Sequence, residues 1–563
     1  MTPLIRRIAT LAVLAPFAGA SLLVAPATAA PLSSTTASSF QTITPVPADS
    51  IVDGFGVGLH TNQSTGPYTQ TTQLAEALSD LGVRHVRDRL YVNSPTQYDR
   101  LRTLGEEGIG LNLITGNPLN QGGSPAQLVS TAQAELGAQV ESFEGANEWN
   151  LTGRTNWADE LRTHQRAVYS AVKSNPTYAY TPVLAPALGR REGRADLGDI
   201  SSISDFGNNH LYPGGKEPTW FMDSELSNEQ IVVPGKPTYI TETGYHNALQ
   251  TSSTHLPAPE DVVADYMPRL LLEYYSRGVP RTYFYEFADE GVNTTDHEDN
   301  FGLVRMDYSR KPAFDSMQYL LSTMSDPGGS PRLEPLRLSV SADQPVQYLL
   351  TRKSDGSYLL ALWRRTQAWD FKNRTPMTVS SIPVTVDLAD TFGVTVGSVG
   401  TQRTVATSAS TSSVRLDLGN AMQIVTLTPK PEQPVAITEV GELSGRTMKA
   451  WQIAGTATPN STITAVAEAS GRSITGTTKA NADGTWQLSL DAWRLPFGPV
   501  TLTVRAVSPS SVVSVATTST VKVRLVSSSR FEPKVGSILS GARADAGPAL
   551  VGQARRLGTA GDG

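Results

Sequence analysis

Between residues 51 and 326, short apolar runs alternate with segments whose apolar residues recur at helical spacing. Leu74, Leu78 and Leu81, for example, fall on one face of a predicted helix. The strand-like runs are 55–59, 83–90, 109–115, 140–147, 180–185, 205–211, 238–242 and 281–287. Eight strands alternating with helices predict a parallel (β/α)8 (TIM) barrel over residues 53–326. The competing architecture is an open doubly wound sheet, but no glycine-rich phosphate loop follows the first run.

After residue 326 the helical pattern ends and strand-like runs take over. Runs at 348–351, 358–363 and 424–427, separated by turn residues, predict an accessory β-sandwich over 332–428. A second alternating region, 434–527, looks like a bacterial immunoglobulin-like domain, with Trp451 and Trp486 expected in its core. Its role as a spacer or as a glycan binder stays open. Residues 528–563 are expected to form a flexible tail.

The amino-terminal segment has the order of a secretory signal peptide. Arg6 and Arg7 precede an apolar run over 8–24, and the small residues of 27–29 suit cleavage. An uncleaved membrane anchor is the alternative, although the run is short for a bilayer span. We therefore expect a signal peptide at 1–30, a linker at 31–52 and an exported, soluble protein without stable membrane insertion.

Composition excludes several classes of partner and of site chemistry. The 563-residue chain has a net charge of −6, so it has no basic excess for a nucleic-acid partner. It contains no cysteine, which excludes disulfides and thiolate chemistry. No His-Glu-x-x-His motif occurs, and we expect neither a cofactor nor a metal ion. The acidic loop 296–299 is the one candidate calcium site, with a solvated loop as the alternative reading.

Two glutamates stand at the ends of predicted strands on facing walls of the barrel. The fourth run leads to Asn147-Glu148, and the seventh ends at Glu242. Since barrel enzymes place catalysis at the carboxyl ends of strands, these carboxylates are expected to meet. A pair of carboxylates suits glycosidic cleavage, one as acid and the other as nucleophile or as base for water. The alternative is that each is a surface carboxylate just past a strand.

Asn147-Glu148 on strand four and Glu242 on strand seven resemble the clan A glycoside hydrolases, which are retaining enzymes on a (β/α)8 barrel. The barrel followed by a β-sandwich looks most like the branch of family 39 β-xylosidases and exopolysaccharide hydrolases. By that resemblance Glu148 is the general acid/base and Glu242 the nucleophile. Asn147 would then bind the sugar 2-hydroxyl.

The resemblance implies roles for three more residues. His210 and Tyr212, at the end of strand six, match a pattern in which an imidazole or a phenol contacts the nucleophile. Arg87 matches the arginine that keeps the nucleophile ionised, although Arg84 and Arg89 lie close enough to leave that placement open by a few residues.

Other polar and aromatic residues are candidates for binding sugar. His60 ends strand one and Glu286 lies on strand eight, and each is as compatible with a structural role. Trp149 directly follows Glu148 and Tyr245 lies three residues after Glu242, and both are expected to stack on sugar faces. Glu144 is expected one layer deeper than Glu148, as a buried polar group.

Together these features predict a secreted retaining glycoside hydrolase whose partner is a polysaccharide or an oligosaccharide. The alternatives are a non-catalytic glycan-binding or adhesion protein on a barrel scaffold, an inverting glycosidase and a transglycosylase. The sugar, the linkage and endo or exo action are left open by the sequence.

Overall fold

The computed structural model describes residues 39–429, 435–444, 447–496, 498–507 and 517–525. The expected signal peptide, residues 31–38 of the expected linker and the tail at 528–563 lie outside the described residues. Among the described residues, no helix is both long and apolar enough to cross a bilayer.

The second half of the expected linker, residues 39–52, is part of the folded structure. It forms strands β1 (Gln41–Ile43) and β2 (Val46–Pro47) and leads into helix α1 (Asp49–Asp53). Both strands pair with strands of the accessory domain. Burial of Ile51 and Val52 ties the helix to the barrel core, so apolar side chains explain why this segment is ordered.

The eight predicted barrel strands are all present and all parallel. They are β3 (Phe55–Gly58), β4 (His85–Arg89), β5 (Gly110–Ile114), β6 (Val140–Glu144), β7 (Val183–Leu184), β8 (Gly207–His210), β9 (Thr238–Thr243) and β10 (Thr282–Phe284). The ring closes between β7 and β8, where Asp205 N donates to Val183 O at 2.7 Å and Ala185 N donates to Phe206 O at 2.9 Å. The closed ring confirms the TIM barrel and excludes the open sheet.

Helices surround the barrel and pack their apolar faces on its strands. They are α2 (Thr71–Leu81), α3 (Pro95–Glu106), α4 (Pro125–Glu135), α5 (Trp157–Ser174), α6 (Arg194–Leu197), α7 (Met222–Glu229), α8 (Glu260–Tyr275) and α9 (Pro312–Met324). Short 3-10 helices lie at Pro67–Thr69, Gly137–Gln139, Trp149–Leu151, Arg191–Gly193, Ser201–Ile203 and Glu298–Asn300. Several helices begin with proline, whose fixed φ suits the first turn.

Apart from one separate hairpin, the strands of the accessory domain form a single continuous sheet with its own core, and β1 and β2 belong to the same sheet. Its strands are β11 (Leu336–Ala342), β12 (Gln347–Arg352), β13 (Tyr358–Trp363), β14 (Trp369–Asp370), β15 (Thr375–Pro376), β16 (Ile382–Ser398), β17 (Arg403–Leu418) and β18 (Gln423–Pro429), of which β14 and β15 form a separate hairpin. The long β16 pairs with β11, β17 and β18 and so joins the halves of the sheet. Leu349, Leu359 and Trp363 face the other way and belong to the barrel core.

A buried carboxylate forms hydrogen bonds between the barrel and the accessory domain. Glu273, on α8, accepts a hydrogen bond from Trp363 Nε1 at 2.8 Å and two from Arg365 at 2.8 and 2.9 Å. Arg277, two residues beyond the end of the same helix, also donates to it. The accessory domain therefore braces the helix that follows the seventh barrel strand, β9.

The third domain has two sheets around a separate core. Its strands are β19 (Ala436–Val440), β20 (Trp451–Thr456), β21 (Thr462–Ala469), β22 (Arg472–Lys479), β23 (Thr485–Leu490), β24 (Gly498–Val507) and β25 (Thr517–Leu525), with a 3-10 helix at Met448–Ala450. One sheet has the order β19-β20-β23 and the other β22-β21-β24-β25. Trp451 and Trp486 are fully buried in its core, as predicted.

Candidate active site

The guanidinium of Arg87, on β4, lies between two carboxylates at the carboxyl end of the barrel. Its Nε and Nη2 donate to Glu144 at 2.8 and 2.7 Å, and its Nη1 donates to Glu242 at 2.6 Å. Burial opposes the charge, but the two carboxylates raise the pKa of Arg87 well above its ordinary value. Of the three nearby arginines it is therefore Arg87 that reaches Glu242, whereas Arg84 pairs with Asp49.

Glu148 enters the site from a turn just beyond β6. Its backbone lies in the left-handed region with φ of +48°, and its N–H donates to Ala187 O at 3.0 Å. A Cβ on Gly189 would come within 3.0 Å of the Glu148 carboxyl carbon, so the neighbouring loop needs glycine there. The Glu148 side chain is 27% exposed, whereas Glu144 is fully buried and deeper, as strand alternation predicted.

His210 and Tyr212 connect the two outer glutamates. His210 Nδ1 lies 2.8 Å from Glu148 Oε1 and 3.4 Å from Glu242 Oε2. The Tyr212 hydroxyl donates to Glu242 Oε2 at 2.8 Å. Burial and the nearby Glu242 charge raise the pKa of Tyr212 well above its ordinary value, so the phenol keeps its proton as a donor. Asn147 lies at the edge of this group and accepts from Arg87 Nη2 at 2.7 Å.

The carboxylates of Glu148 and Glu242 face each other at short range. One oxygen of each lies within 4.8 Å of the other. Burial raises the pKa of Glu148, but the hydrogen bond from His210 and the charges of His210 and Arg87 outweigh it and hold that pKa below its ordinary value. Two carboxylates this close can act on adjacent atoms of one bound molecule.

An open cavity of about 490 Å³ lies over this group. Its wall combines acids, imidazoles and aromatic rings, which suits a ligand rich in hydroxyl groups. The lining residues are Gly58, Leu59, His60, Asn62, Gln63, Arg87, Asp88, Arg89, Tyr91, Ile114, Asn147, Glu148, Tyr212, Glu242, His255, Tyr285, Glu290, His297, Glu298 and Phe301.

A second group of charges surrounds His60 at another part of the wall. His60 Nδ1 contacts Glu290 and lies 3.7 Å from Glu286, and Gln63 donates to Glu290 at 2.6 Å. Burial would lower the pKa of His60, but the contact with Glu290 and both carboxylate charges raise it to about 9. Glu286 does not line the cavity, which corrects the expectation that it binds sugar. It is fully buried and accepts from Tyr68 at 2.6 Å.

Trp149 and Tyr245, expected to stack on sugar faces, are corrected as well. Trp149 is 5% exposed, packs in a small core beside α5 and donates through Nε1 to Glu160 at 3.0 Å. Tyr245 is 2% exposed and donates to the Lys216 carbonyl at 3.0 Å. Glu148 and Glu242 point into the cavity, but the nearby rings of Trp149 and Tyr245 do not. Proximity in sequence to either glutamate was therefore misleading.

Sequence reasoning missed part of the cavity wall. Glu290, Glu298 and His297 lie on the loop after β10, and His255 lies on the loop after β9. Loops carry no hydrophobic periodicity, so no pattern marked Glu290 or His255, and His297 and Glu298 stood out only as part of the acidic loop 296–299. The available signal was position, because loops that follow barrel strands are where such sites form.

Two groups among the described residues have the ligand types for a metal ion, His60–Glu286–Glu290 and Glu148–His210–Glu242. In each group the imidazole is already in contact with a carboxylate. A proton held on His60 by a pKa of about 9 competes with metal binding, which needs the neutral ring. The loop at 296–299 belongs to neither group, and Asp299 accepts there from Asn293 N at 3.1 Å.

No protein-family model and no curated protein sequence matches the chain. Solved structures with similar folds include a family 39 glycoside hydrolase from Bacteroides cellulosilyticus, with 14% identity and a TM-score of 0.48, over 68% of this chain and 82% of that one. A monomeric β-xylosidase from Caulobacter crescentus has 16% identity and a TM-score of 0.47, over 69% and 98% of the chains. A glucosidase from Croceicoccus marinus has 12% identity and a TM-score of 0.45, over 72% and 100%.

Proposed function

We propose that the protein is an exported retaining glycoside hydrolase that cleaves an oligosaccharide or a polysaccharide by double displacement. The observation that carries the proposal is the approach of Glu148 and Glu242 to within 4.8 Å, oxygen to oxygen. Retaining glycosidases hold their two carboxyl groups about 5–5.5 Å apart, whereas inverting ones need about 6.5–9.5 Å to admit a water. The short separation therefore favours direct attack and disfavours inversion.

In the first step Glu242 attacks the anomeric carbon while Glu148 protonates the glycosidic oxygen. The bond between carbon and leaving-group oxygen breaks, and the sugar becomes an ester of Glu242. In the second step Glu148 takes a proton from water, the water oxygen bonds to the anomeric carbon, and Glu242 leaves as a carboxylate.

The surrounding residues prepare Glu242 for attack. Arg87 and Tyr212 each donate a hydrogen bond to one of its oxygens, which fixes the direction of the carboxylate. Asn147 accepts a hydrogen bond from Arg87 and would bind the 2-hydroxyl of the attacked sugar, a contact that strengthens as positive charge grows on the ring.

Export rests on the basic residues and apolar run at the amino terminus, outside the described residues. The third domain, with sheets of three and four antiparallel strands around a buried tryptophan pair, supports an immunoglobulin-like module.

Chemical rescue tests the assignment. Glu242→Ala should abolish turnover, and added azide or formate should restore it with inverted configuration, because a small anion fills the space of the lost carboxylate. Glu148→Ala should keep activity chiefly on substrates with very good leaving groups. Glu76→Ala, on the exposed face of α2, is the control for losing a carboxylate and should behave as wild type. Wild-type rates in both active-site variants would overturn the proposal, and a protein with no turnover on any glycoside would favour the glycan-binding alternative.

A further inference from the structure

A cluster of aromatic and basic side chains lies outside the cavity on the same end of the barrel. We call it the aromatic–basic surface, defined by Arg191, Lys216, Trp220, Phe221 and Phe371. Trp220 is 41% exposed and Phe221 is 50% exposed, which is unusual for neighbouring large rings. Phe221 also has a φ of +62°, a conformation that bulky residues rarely adopt.

Three separate segments build this surface. Arg191 comes from the loop after β7, and Lys216, Trp220 and Phe221 come from the loop after β8. Phe371 lies in the β14–β15 hairpin of the accessory domain. Both barrel loops follow the carboxyl ends of strands, where the candidate active site also lies.

The cation at its centre is bound by rings and has no acidic partner. Lys216 Nζ lies 4.8 Å from the Trp220 ring, 5.2 Å from that of Phe371 and 6.0 Å from that of Phe221. In the described part of the chain no carboxylate pairs with it. Burial and, after it, the charges of Arg191 and Lys372 lower the pKa of Lys216 below its ordinary value.

Arg191 adds a second exposed cation to the surface. Its guanidinium lies over the Phe221 ring at 5.1 Å, and the carboxylate that it contacts within the described residues is Glu225, at 3.2 Å. Glu225 also pairs with the buried Arg194 at 2.8 Å, so that its charge is shared. The surface thus carries net positive charge on a protein whose net charge is −6.

The edge of the surface that carries Arg191 adjoins Glu148. The loop that carries Arg191 also accepts the Glu148 N–H at Ala187 O and packs Gly189 against the Glu148 carboxyl group. Asn150 fixes the loop by donating to Arg190 O at 2.8 Å. Because a general acid stands beside the leaving group, this side of the cavity is the leaving-group side.

We infer that the aromatic–basic surface binds the leaving-group part of a polysaccharide that carries carboxylate or sulfate groups. The inference rests on the proposed function for its direction along the substrate. Exposed rings offer platforms for the C–H faces of sugars, while the Lys216 ammonium, which has no carboxylate partner among the described residues, and the exposed Arg191 guanidinium complement anionic substituents. The substrate of the enzyme would then be an acidic polymer that contacts the protein at positions well beyond the cleaved bond.

Affinity electrophoresis of the full-length protein tests this binding without any need for turnover. Native gels contain polygalacturonate, dextran sulfate or neutral dextran as probes. Wild type should be retarded by at least one anionic polymer. Retardation by polygalacturonate would indicate carboxylate recognition, and retardation by dextran sulfate would indicate sulfate recognition. Trp220→Ala should weaken that retardation about 3- to 10-fold, and Lys216→Gln should weaken it in the same gels.

Trp493→Ala is the matched control, since Trp493 of the third domain is 50% exposed and also has an arginine over its ring, Arg494 at 5.2 Å. It should leave the retardation unchanged. All these variants should keep wild-type rates on a small aryl glycoside, which separates this test from that of the proposed function. No retardation by any anionic polymer, equal retardation by neutral dextran, or an equal effect of Trp493→Ala would overturn the inference. Self-association that Trp220→Ala abolishes would also overturn it.

Discussion

Arg87 Nη1 lies 2.6 Å from Glu242 Oε1, while the other nitrogens of the same guanidinium hold Glu144 below it. One buried guanidinium therefore binds two carboxylates, the deep Glu144 and Glu242, which reaches the cavity. The rigid fork of arginine makes this possible, because its donors point in fixed directions to two acceptors at once.

Replacing Arg87 with lysine should preserve the charge but lose this geometry. A single ammonium cannot hold both carboxylates, so Glu242 would shift, and we expect kcat/KM to fall on the order of 10²-fold. Arg87→Gln would leave both buried carboxylates without a cation and lower the free energy of unfolding by about 3–5 kcal/mol. Urea denaturation and steady-state kinetics measure the two effects. Arg84→Lys, at a partly exposed pair with Asp49, is the control, and equal losses there would contradict the account.

His210 should set the pH range over which Glu148 can act as an acid. Its hydrogen bond and charge lower the pKa of Glu148, so His210→Gln should raise that pKa and move the basic limb of kcat/KM to higher pH. The profile is measured on a glycoside whose leaving group needs protonation. An aryl glycoside with a very good leaving group should show a smaller shift. A limb that moves to lower pH would contradict this role.

His60 should make stability depend on alkaline pH. Its pKa is about 9 in the folded protein against 6.5 for the free side chain, so the folded state binds the proton more tightly. That stability is fully present below pH 6.5 and is lost as pH rises through about 9. We expect Tm to fall over this interval in wild type and to fall less in His60→Gln. Parallel Tm profiles of the two proteins would show that the imidazolium makes no such contribution.

Glu273 should stabilise the contact between the barrel and the accessory domain. Glu273→Ala removes the acceptor for Trp363 and Arg365 and leaves the buried Trp363 Nε1 unpaired, so the free energy of unfolding should fall by about 1–3 kcal/mol. Chemical denaturation followed by tryptophan fluorescence measures it. Glu107→Ala, at an exposed position after α3, should change stability little. The prediction fails if the two variants unfold at the same urea concentration.

The sequence predicted the barrel because eight short strand-like runs alternate with segments of helical periodicity, even though polar residues interrupt several of the runs, as in β4 (His85–Arg89) and β8 (Gly207–His210). Glu148 and Glu242 could be singled out because each follows such a run. Trp149 and Tyr245 were misassigned because the left-handed turn at Glu148, and the loop after β9, direct consecutive side chains differently. Glu290 lies in a loop, where position depends on tertiary packing that no local pattern encodes.

The most direct test of the central claim is covalent labelling. The protein is incubated with the activated 2-deoxy-2-fluoro analogue of a glycoside that it hydrolyses, and the digested protein is then sequenced by mass spectrometry. The account predicts one sugar attached through an ester to Glu242, and none on Glu242→Gln. A label on a different residue, or steady turnover of the analogue's parent glycoside with inverted product and no label, would contradict it.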